Sequence, residues 1–145
     1  MDKIDKEIVE ALRCDGRASF KELSERVFLS ANAVAERVRR LQEQGVIEGY
    51  EARINLRAMG LPLVALVDVK LKPGVTVEAF EAVLNSIPGI LDASLLTGSF
   101  DYMLQVACRD QEALVQLVET LRSRGGVQES HTRLQLRALR PKSRL

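Results

Sequence analysis

The 145-residue chain has little of what most catalytic and metal sites are built from. It contains one histidine, His131, and two cysteines. A metal site needs several clustered ligands, so we expect no metal and no cofactor. The sequence has no serine, histidine and acid in the order of a hydrolase triad, and no glycine-rich phosphate loop. It therefore predicts a protein that is not an enzyme.

The cysteines and the apolar runs indicate the cellular compartment of the protein. Cys14 and Cys108 form no CxxC pair and lie in segments of apolar periodicity, so we expect two reduced thiols in the core of a cytoplasmic protein. No apolar run approaches the roughly 20 residues that a transmembrane helix needs. The opening "MDKIDKEIVE" is charged where a signal peptide would be apolar. We expect no membrane partner.

Charge of one sign is also lacking, since 21 basic residues oppose 20 acidic ones and the net charge is +1. Overall charge therefore gives no indication of nucleic-acid binding. Such binding would depend on a local basic patch and on oligomerisation.

Apolar residues recur with helical spacing at the start of the chain. Ile4, Ile8 and Leu12 predict a first helix with Asp2 as its N-cap. The turn signal "CDGRAS" ends this helix, and "SFKE" at residues 19–22 predicts a capping box that begins a second helix.

A third helix follows after a short turn. Ser30 is its predicted N-cap, and Gly45 supplies the position after its end. Val34, Val38 and Leu41 form its buried stripe. Because a short turn joins the second and third helices, we predict a helix-turn-helix, in which the later helix enters the major groove of DNA.

The outer face of the third helix carries side chains that can bind DNA. Arginine can bind guanine in a bidentate way, asparagine can read adenine, and glutamate can accept from cytosine. The candidate DNA-binding residues are Ser30, Ala31, Asn32, Ala33, Glu36, Arg37, Arg39 and Arg40. The alternative is an ordinary three-helix bundle with a solvated charged face.

The chain changes character after Gly45. "VIEGYEARIN" alternates like a strand, and beyond it the apolar pattern predicts the order β-α-β-β-α-β, a ferredoxin-like domain. In the last strand, Thr132, Leu134, Leu136 and Ala138 share one face. We predict an α+β protein with a winged-type helix-turn-helix domain at residues 1–48, a β linker at 49–61 and a ferredoxin-like effector-binding and dimerisation domain at 62–145.

Such a sheet has helices on one face only. In "LPLVALVDVKL" both alternating sets of side chains are largely apolar, so the second face needs cover as well. A second copy of the chain is the natural solution, and we expect a homodimer.

The segment "TGSFDY" joins two of the apolar strands. Amides around Gly98 and the hydroxyls of Thr97 and Ser99 can take a carboxylate, while Asp101 can take an ammonium group. The candidate effector-binding residues are Leu95, Thr97, Gly98, Ser99, Asp101 and Tyr102. The alternative is a plain hairpin in which Gly98 supplies a positive φ.

Four stretches together make the chain resemble the Lrp/AsnC (feast/famine) family of transcription regulators over nearly its whole length. They are "IDKEIVEALRCDGRASFKELSERV", "LSANAVAERVRRLQEQGVIEGYEARIN", "TGSFDYMLQV" and "GGVQESHTR". The resemblance implies a helix-turn-helix, a β linker, and a ferredoxin-like RAM domain that dimerises through its sheets and often forms octamers. It also implies a small effector, usually an amino acid, near the hairpin, where Gly98 and Asp101 match the most typical positions.

Two departures concern the helix-turn-helix. Phe28 stands where the family usually has glycine, which indicates either a turn without positive φ or some strain. Ala31 and Ala33 stand where prolines are frequent.

The sequence therefore predicts a transcription regulator that binds double-stranded DNA and responds to an amino acid or a related small molecule. The alternative is a stand-alone amino-acid-binding or oligomerisation module whose helical domain binds a protein.

Overall fold

A computed structural model describes residues 1–139 of the chain. They form two compact units, Met1–Arg53 and Ile54–Leu139. The boundary between the units falls inside the predicted linker, residues 49–61.

The first unit consists of the three predicted helices. They are α1 (Lys3–Cys14), α2 (Phe20–Val27) and α3 (Ala31–Glu43). Asp2, Ser19 and Ser30 are their N-caps, as predicted, and the Ser19 capping box is present. The core is small and consists of Ile8, Ala11, Leu23, Val34, Val38 and Leu41. The predicted buried stripe of α3 is thereby confirmed.

The expectation of two core thiols holds for only one cysteine. Cys108 is buried, and this burial raises the pKa of its thiol. Cys14 is exposed at the end of α1. The prediction for Cys14 was wrong, since Cys14 is the last residue of α1 and its neighbours Arg13 and Asp15 are exposed as well.

The predicted β character of the linker is not found. Residues 46–62 contain no strand, and residues 56–60 form turns instead. The side chain of Asn55 accepts from the amide of Ala58 at 3.1 Å, which helps to close these turns. A strand needs a neighbouring strand for its backbone hydrogen bonds, and alternation in sequence does not supply one.

The second unit has the predicted order β-α-β-β-α-β. Its elements are β1 (Leu63–Leu71), α4 (Val77–Leu84), β2 (Ile90–Leu95), β3 (Tyr102–Cys108), α5 (Gln111–Gly125) and β4 (Val127–Leu134). The strands form one antiparallel sheet in the order β2-β3-β1-β4.

The last strand is shorter than predicted. Thr132 and Leu134 share a face but are exposed, Leu136 and Ala138 lie beyond the strand, and residue 140 lies outside the described residues.

The two faces of the sheet differ. Ala65, Val67 and Val69 of β1 are fully buried in the core that α4 and α5 cover. The alternate residues of the same strand, including Val64 and Leu66, are only half-buried. The uncovered face is therefore partly apolar, as expected from the sequence.

Phe28 adopts the left-handed helical conformation, with φ 56° and ψ 43°, at the end of α2. Its amide donates to the carbonyl of Ser24, as in a common helix ending that usually carries glycine. An L-residue in this conformation costs about 1–2 kcal/mol. Because the side chain is 92% exposed, burial of the ring does not offset this cost. Of the two expectations for Phe28, strain is the correct one.

We predict that Phe28→Gly stabilises the helical unit by about 1 kcal/mol, because glycine adopts the left-handed conformation without a Cβ clash. Urea denaturation followed by circular dichroism measures the change. Phe28→Ala is the control, since it removes the ring but keeps Cβ. Equal stabilities of the glycine and alanine variants would show that the backbone is not strained.

Candidate nucleic-acid interface and effector hairpin

The exposed face of α3 is the candidate nucleic-acid interface. Val34, Val38 and Leu41 point into the core, so the opposite side of the helix faces solvent. Ala31, Asn32, Glu36, Arg39 and Arg40 are exposed, Ala33 and Arg37 are half-buried, and Ser30 caps the helix.

Arg37, one of the candidate DNA-binding residues, forms ion pairs with two aspartates of the same unit. Its Nη1 lies 2.7 Å from a carboxylate oxygen of Asp2 and 2.7 Å from one of Asp5. The Arg37 side chain is 23% exposed, whereas Asp5 is 2% exposed. The guanidinium is thus bound within the helical unit and connects α3 to α1.

Arg40 and Arg39 are better placed to contact DNA. Nη2 of Arg40 lies 3.1 Å from both carboxylate oxygens of Asp5, yet the side chain is 48% exposed. Arg39 pairs with Glu36 at 2.6 Å on the solvent side of the same helix. The Arg39–Glu36 pair is exposed on both sides, and such pairs contribute little stability, so a phosphate can displace it at little cost.

The two aspartates at the start of α1 form a reciprocal capping box. The Asp5 amide donates to Asp2 at 2.8 Å, and the Asp2 amide donates to Asp5 at 3.0 Å. Burial acts to raise the pKa of Asp5, but the Asp2 amide and the Arg37 guanidinium outweigh it, so this pKa is lowered. The Asp5 amide and Arg37 likewise lower the pKa of Asp2.

Sequence reasoning identified Asp2 as a cap but missed Asp5. The signal was present, because an acid three residues after an N-cap is the spacing of a capping box. An acid between Ile4 and Ile8 also interrupts the apolar face of α1.

The candidate effector hairpin connects β2 to β3. Gly98 has φ 114°, the positive φ expected for a plain hairpin, and Thr97, Gly98 and Ser99 are exposed at the tip. Asp101 has a structural role: its amide donates to the Val69 carbonyl, and its carboxylate accepts from the Leu71 amide at 2.7 Å. Asp101 therefore connects the hairpin to the end of β1.

The predicted effector residues do not all lie together. Leu95 and Tyr102 line a cavity of about 580 Å³ on the helix side of the sheet, apart from the tip of the hairpin. Tyr102 is buried and donates to Glu81 of α4 at 2.8 Å. Burial and Glu81 raise the pKa of Tyr102 to about 12, so its hydroxyl remains a donor. Glu81 is a cavity residue that the sequence did not reveal.

Two further findings concern residues 1–139. Their histidines, cysteines and acids form no cluster of three or more that could hold a metal ion. In the same range, no helix has the length and apolar character needed to span a membrane.

We predict that Arg37→Ala lowers the melting temperature of the helical unit by several degrees, because it removes two hydrogen bonds from the Asp2 and Asp5 carboxylates. Arg39→Ala is the matched control, since Arg39 pairs only on the exposed surface of the same helix. Thermal unfolding followed by circular dichroism compares the two. Equal melting temperatures would contradict the structural role of Arg37.

The same comparison has a pH signature. Because the folded pKa values of Asp2 and Asp5 are lowered from their ordinary value of 3.8, their ionised forms stabilise the fold above that pH. The contribution is lost as the pH falls through the lowered values. The difference between wild type and Arg37→Ala should therefore be full above about pH 5 and shrink below it.

Comparisons with known proteins agree with this architecture. A family model described as the Lrp/AsnC ligand binding domain matches residues 64–145, and one described as winged helix-turn-helix DNA-binding matches residues 1–48. The leucine-responsive regulatory protein of Escherichia coli K12 is 36% identical over 148 aligned residues, which cover 100% of this chain and 90% of that protein.

Solved structures show the same similarity. A transcriptional regulator of Neisseria meningitidis, in complex with L-methionine, has a TM-score of 0.90 and 32% identity over 100% of this chain and 96% of its own. A feast or famine regulatory protein of M. tuberculosis, also complexed with L-methionine, has a TM-score of 0.89 and 34% identity over 97% of this chain and 95% of its own. The chain belongs to the Lrp/AsnC family of transcription regulators.

Proposed function

We propose that this protein is a cytoplasmic transcription regulator, without enzymatic activity, that binds double-stranded DNA through α3 and responds to an amino acid. The observation that carries the proposal is the division of α3 into a buried apolar stripe and an exposed face with Asn32, Glu36, Arg39 and Arg40. Family membership supports it, as do the relatives whose names or structures connect them with leucine or methionine.

In this proposal the residues of α3 have different tasks. Arg39 and Arg40 reach phosphates or bases, while Asn32 and Glu36 can read base edges. Ser30, Ala31 and Ala33 form the leading end of the helix, where small side chains let the backbone approach DNA. Arg37 supports the surface from within the helical unit.

Salt titration tests the DNA-binding proposal. Neutralised phosphates release counterions, so the logarithm of the binding constant should fall linearly with the logarithm of salt concentration. Arg40→Gln should weaken binding and lower the magnitude of this slope by about 1. Arg109→Gln, which changes an exposed arginine paired with Asp110 in the other unit, is the control. A helical unit that binds protein instead would show no salt-dependent affinity for duplex DNA.

We propose further that two copies associate through the uncovered sheet face, where Val64, Leu66 and Met103 are half-buried. Burial of this apolar area stabilises a dimer, and an octamer of four dimers is consistent with the family resemblance. A symmetric dimer presents two recognition helices to half-sites about 10 bp apart or a multiple of that spacing. Light scattering that shows a stable monomer at micromolar concentration would contradict this proposal.

The effector proposal places an amino acid at the Thr97–Tyr102 hairpin. A carboxylate and an ammonium group each need a partner when they leave water. Exposed amides around Gly98 and Ser99 suit the carboxylate, and Asp101 suits the ammonium group. Leu95 and Tyr102, at the base of the hairpin, line the cavity on the helix side of the sheet.

We predict that Asp101→Asn weakens the binding of L-leucine or L-methionine about tenfold to a hundredfold, because it removes a charged hydrogen bond. The asparagine carbonyl can still accept from the Leu71 amide, so the hairpin keeps its link to β1. Calorimetric titration measures the affinity. Glu119→Gln, an equal charge change on α5, is the control. An unchanged affinity in Asp101→Asn would rule out this carboxylate as the ammonium partner.

A further inference from the structure

Four side chains connect the start of α1 to the recognition helix in a sequence of alternating charge. Asp2 contacts Arg37, Arg37 contacts Asp5, and Asp5 contacts Arg40. The two outer members, Asp2 and Arg40, are the more exposed, and the two inner ones are the more buried. We call this set the ion-pair network of the helical unit.

Asp5 is the centre of the ion-pair network. One of its carboxylate oxygens accepts from Arg37 at 2.7 Å and from Arg40 at 3.1 Å. The other accepts from the Asp2 amide at 3.0 Å and from Arg40 at 3.1 Å. A carboxylate that is 2% exposed must be satisfied in this way, because an unpaired buried charge is costly.

The geometry restricts α3 more than apolar packing does. Val34, Val38 and Leu41 hold α3 by apolar contacts, which are not directional as hydrogen bonds are. Two arginines three positions apart on α3, both bound to one fixed carboxylate, allow little rotation about the helix axis. Fixing one arrangement among several is a role for which buried polar groups are suited.

We propose that Asp5 is a positioning residue for DNA recognition. Through Arg37 it fixes the rotation of α3, and through Arg40 it holds a half-exposed guanidinium in place before DNA arrives. This inference rests on the proposed DNA-binding function. Base contacts require placement within about 0.5 Å, whereas attraction to phosphates tolerates larger shifts. Loss of Asp5 should therefore reduce discrimination between DNA sequences more than it reduces affinity for DNA in general.

The experiment uses the full chain and two DNA duplexes. One is selected by the wild-type protein from a random-sequence library, and the other is a scrambled duplex of the same length and composition. In Asp5→Asn we expect the ratio of the two affinities to fall about tenfold, the range of one base contact. Affinity for the scrambled duplex should stay equal or rise, because the variant has one negative charge fewer.

Glu10→Gln is the matched control. It changes charge by the same amount on the same helix, and Glu10 pairs with Arg13 of α1. Its affinity ratio should equal that of wild type. An unchanged ratio in Asp5→Asn, or an equal fall in Glu10→Gln, would overturn the proposal.

A double variant tests whether Asp5 acts through Arg40. Because Asp5 also acts through Arg37, the loss of discrimination in Asp5→Asn/Arg40→Gln, expressed as a free energy, should be smaller than the sum of the two single losses. Fully additive losses would overturn this route. If Asp5→Asn does not fold, Asp2→Asn replaces it, since asparagine remains a good N-cap. The ratio should then fall by a smaller factor, and an unchanged ratio would contradict the proposal.

The design separates this inference from the function on which it rests. A wild-type protein that selects a duplex establishes DNA binding, and the variants then decide the role of Asp5 alone. A wild-type protein that selects no duplex would overturn both.

Discussion

The buried carboxylate of Asp5 is the interaction on which the helical unit depends most. Among residues 1–139, the apolar core of this unit contains six buried side chains, so packing alone gives modest control over how its helices are oriented. Asp5 restricts the orientation of α3 relative to α1, because its oxygens accept from the Asp2 amide at the start of α1 and from two arginines of α3. The exposed face of α3 can therefore have a defined orientation even though the unit is small.

Side-chain hydrogen bonds also connect separate elements of the second unit. Its sheet has an apolar core on one face, but the hairpin between β2 and β3 lies at the edge of that core. Asp101 connects this hairpin to β1 through the Leu71 amide, and Tyr102 connects the base of the hairpin to α4 through Glu81. In the proposed function, a ligand bound at the hairpin would act on a segment that is joined to β1 and to α4.

Much of the fold could be predicted because it depends on local signals. Helical periodicity, the caps at Ser19 and Ser30, and the order of strands and helices are all encoded within a few residues. The role of Arg37 could not be predicted in this way, since its partners lie 35 and 32 residues away in sequence. The strand prediction for the linker was wrong for a related reason. A strand needs a neighbouring strand for its hydrogen bonds, and the alternation near Tyr50 does not specify one. The position of the hairpin between two strands was predicted correctly, but no local signal indicates that Tyr102 faces the cavity with Glu81.

The central claim is that DNA binding and amino-acid binding belong to one switch. The most direct measurement is the affinity of the full chain for its selected duplex at increasing concentrations of L-leucine and of L-methionine. If the two are coupled, at least one amino acid changes the DNA affinity by a factor that saturates, typically about 5- to 150-fold, and DNA changes the affinity for that amino acid by the same factor. A DNA affinity that stays constant at saturating concentrations of both amino acids would contradict this coupling.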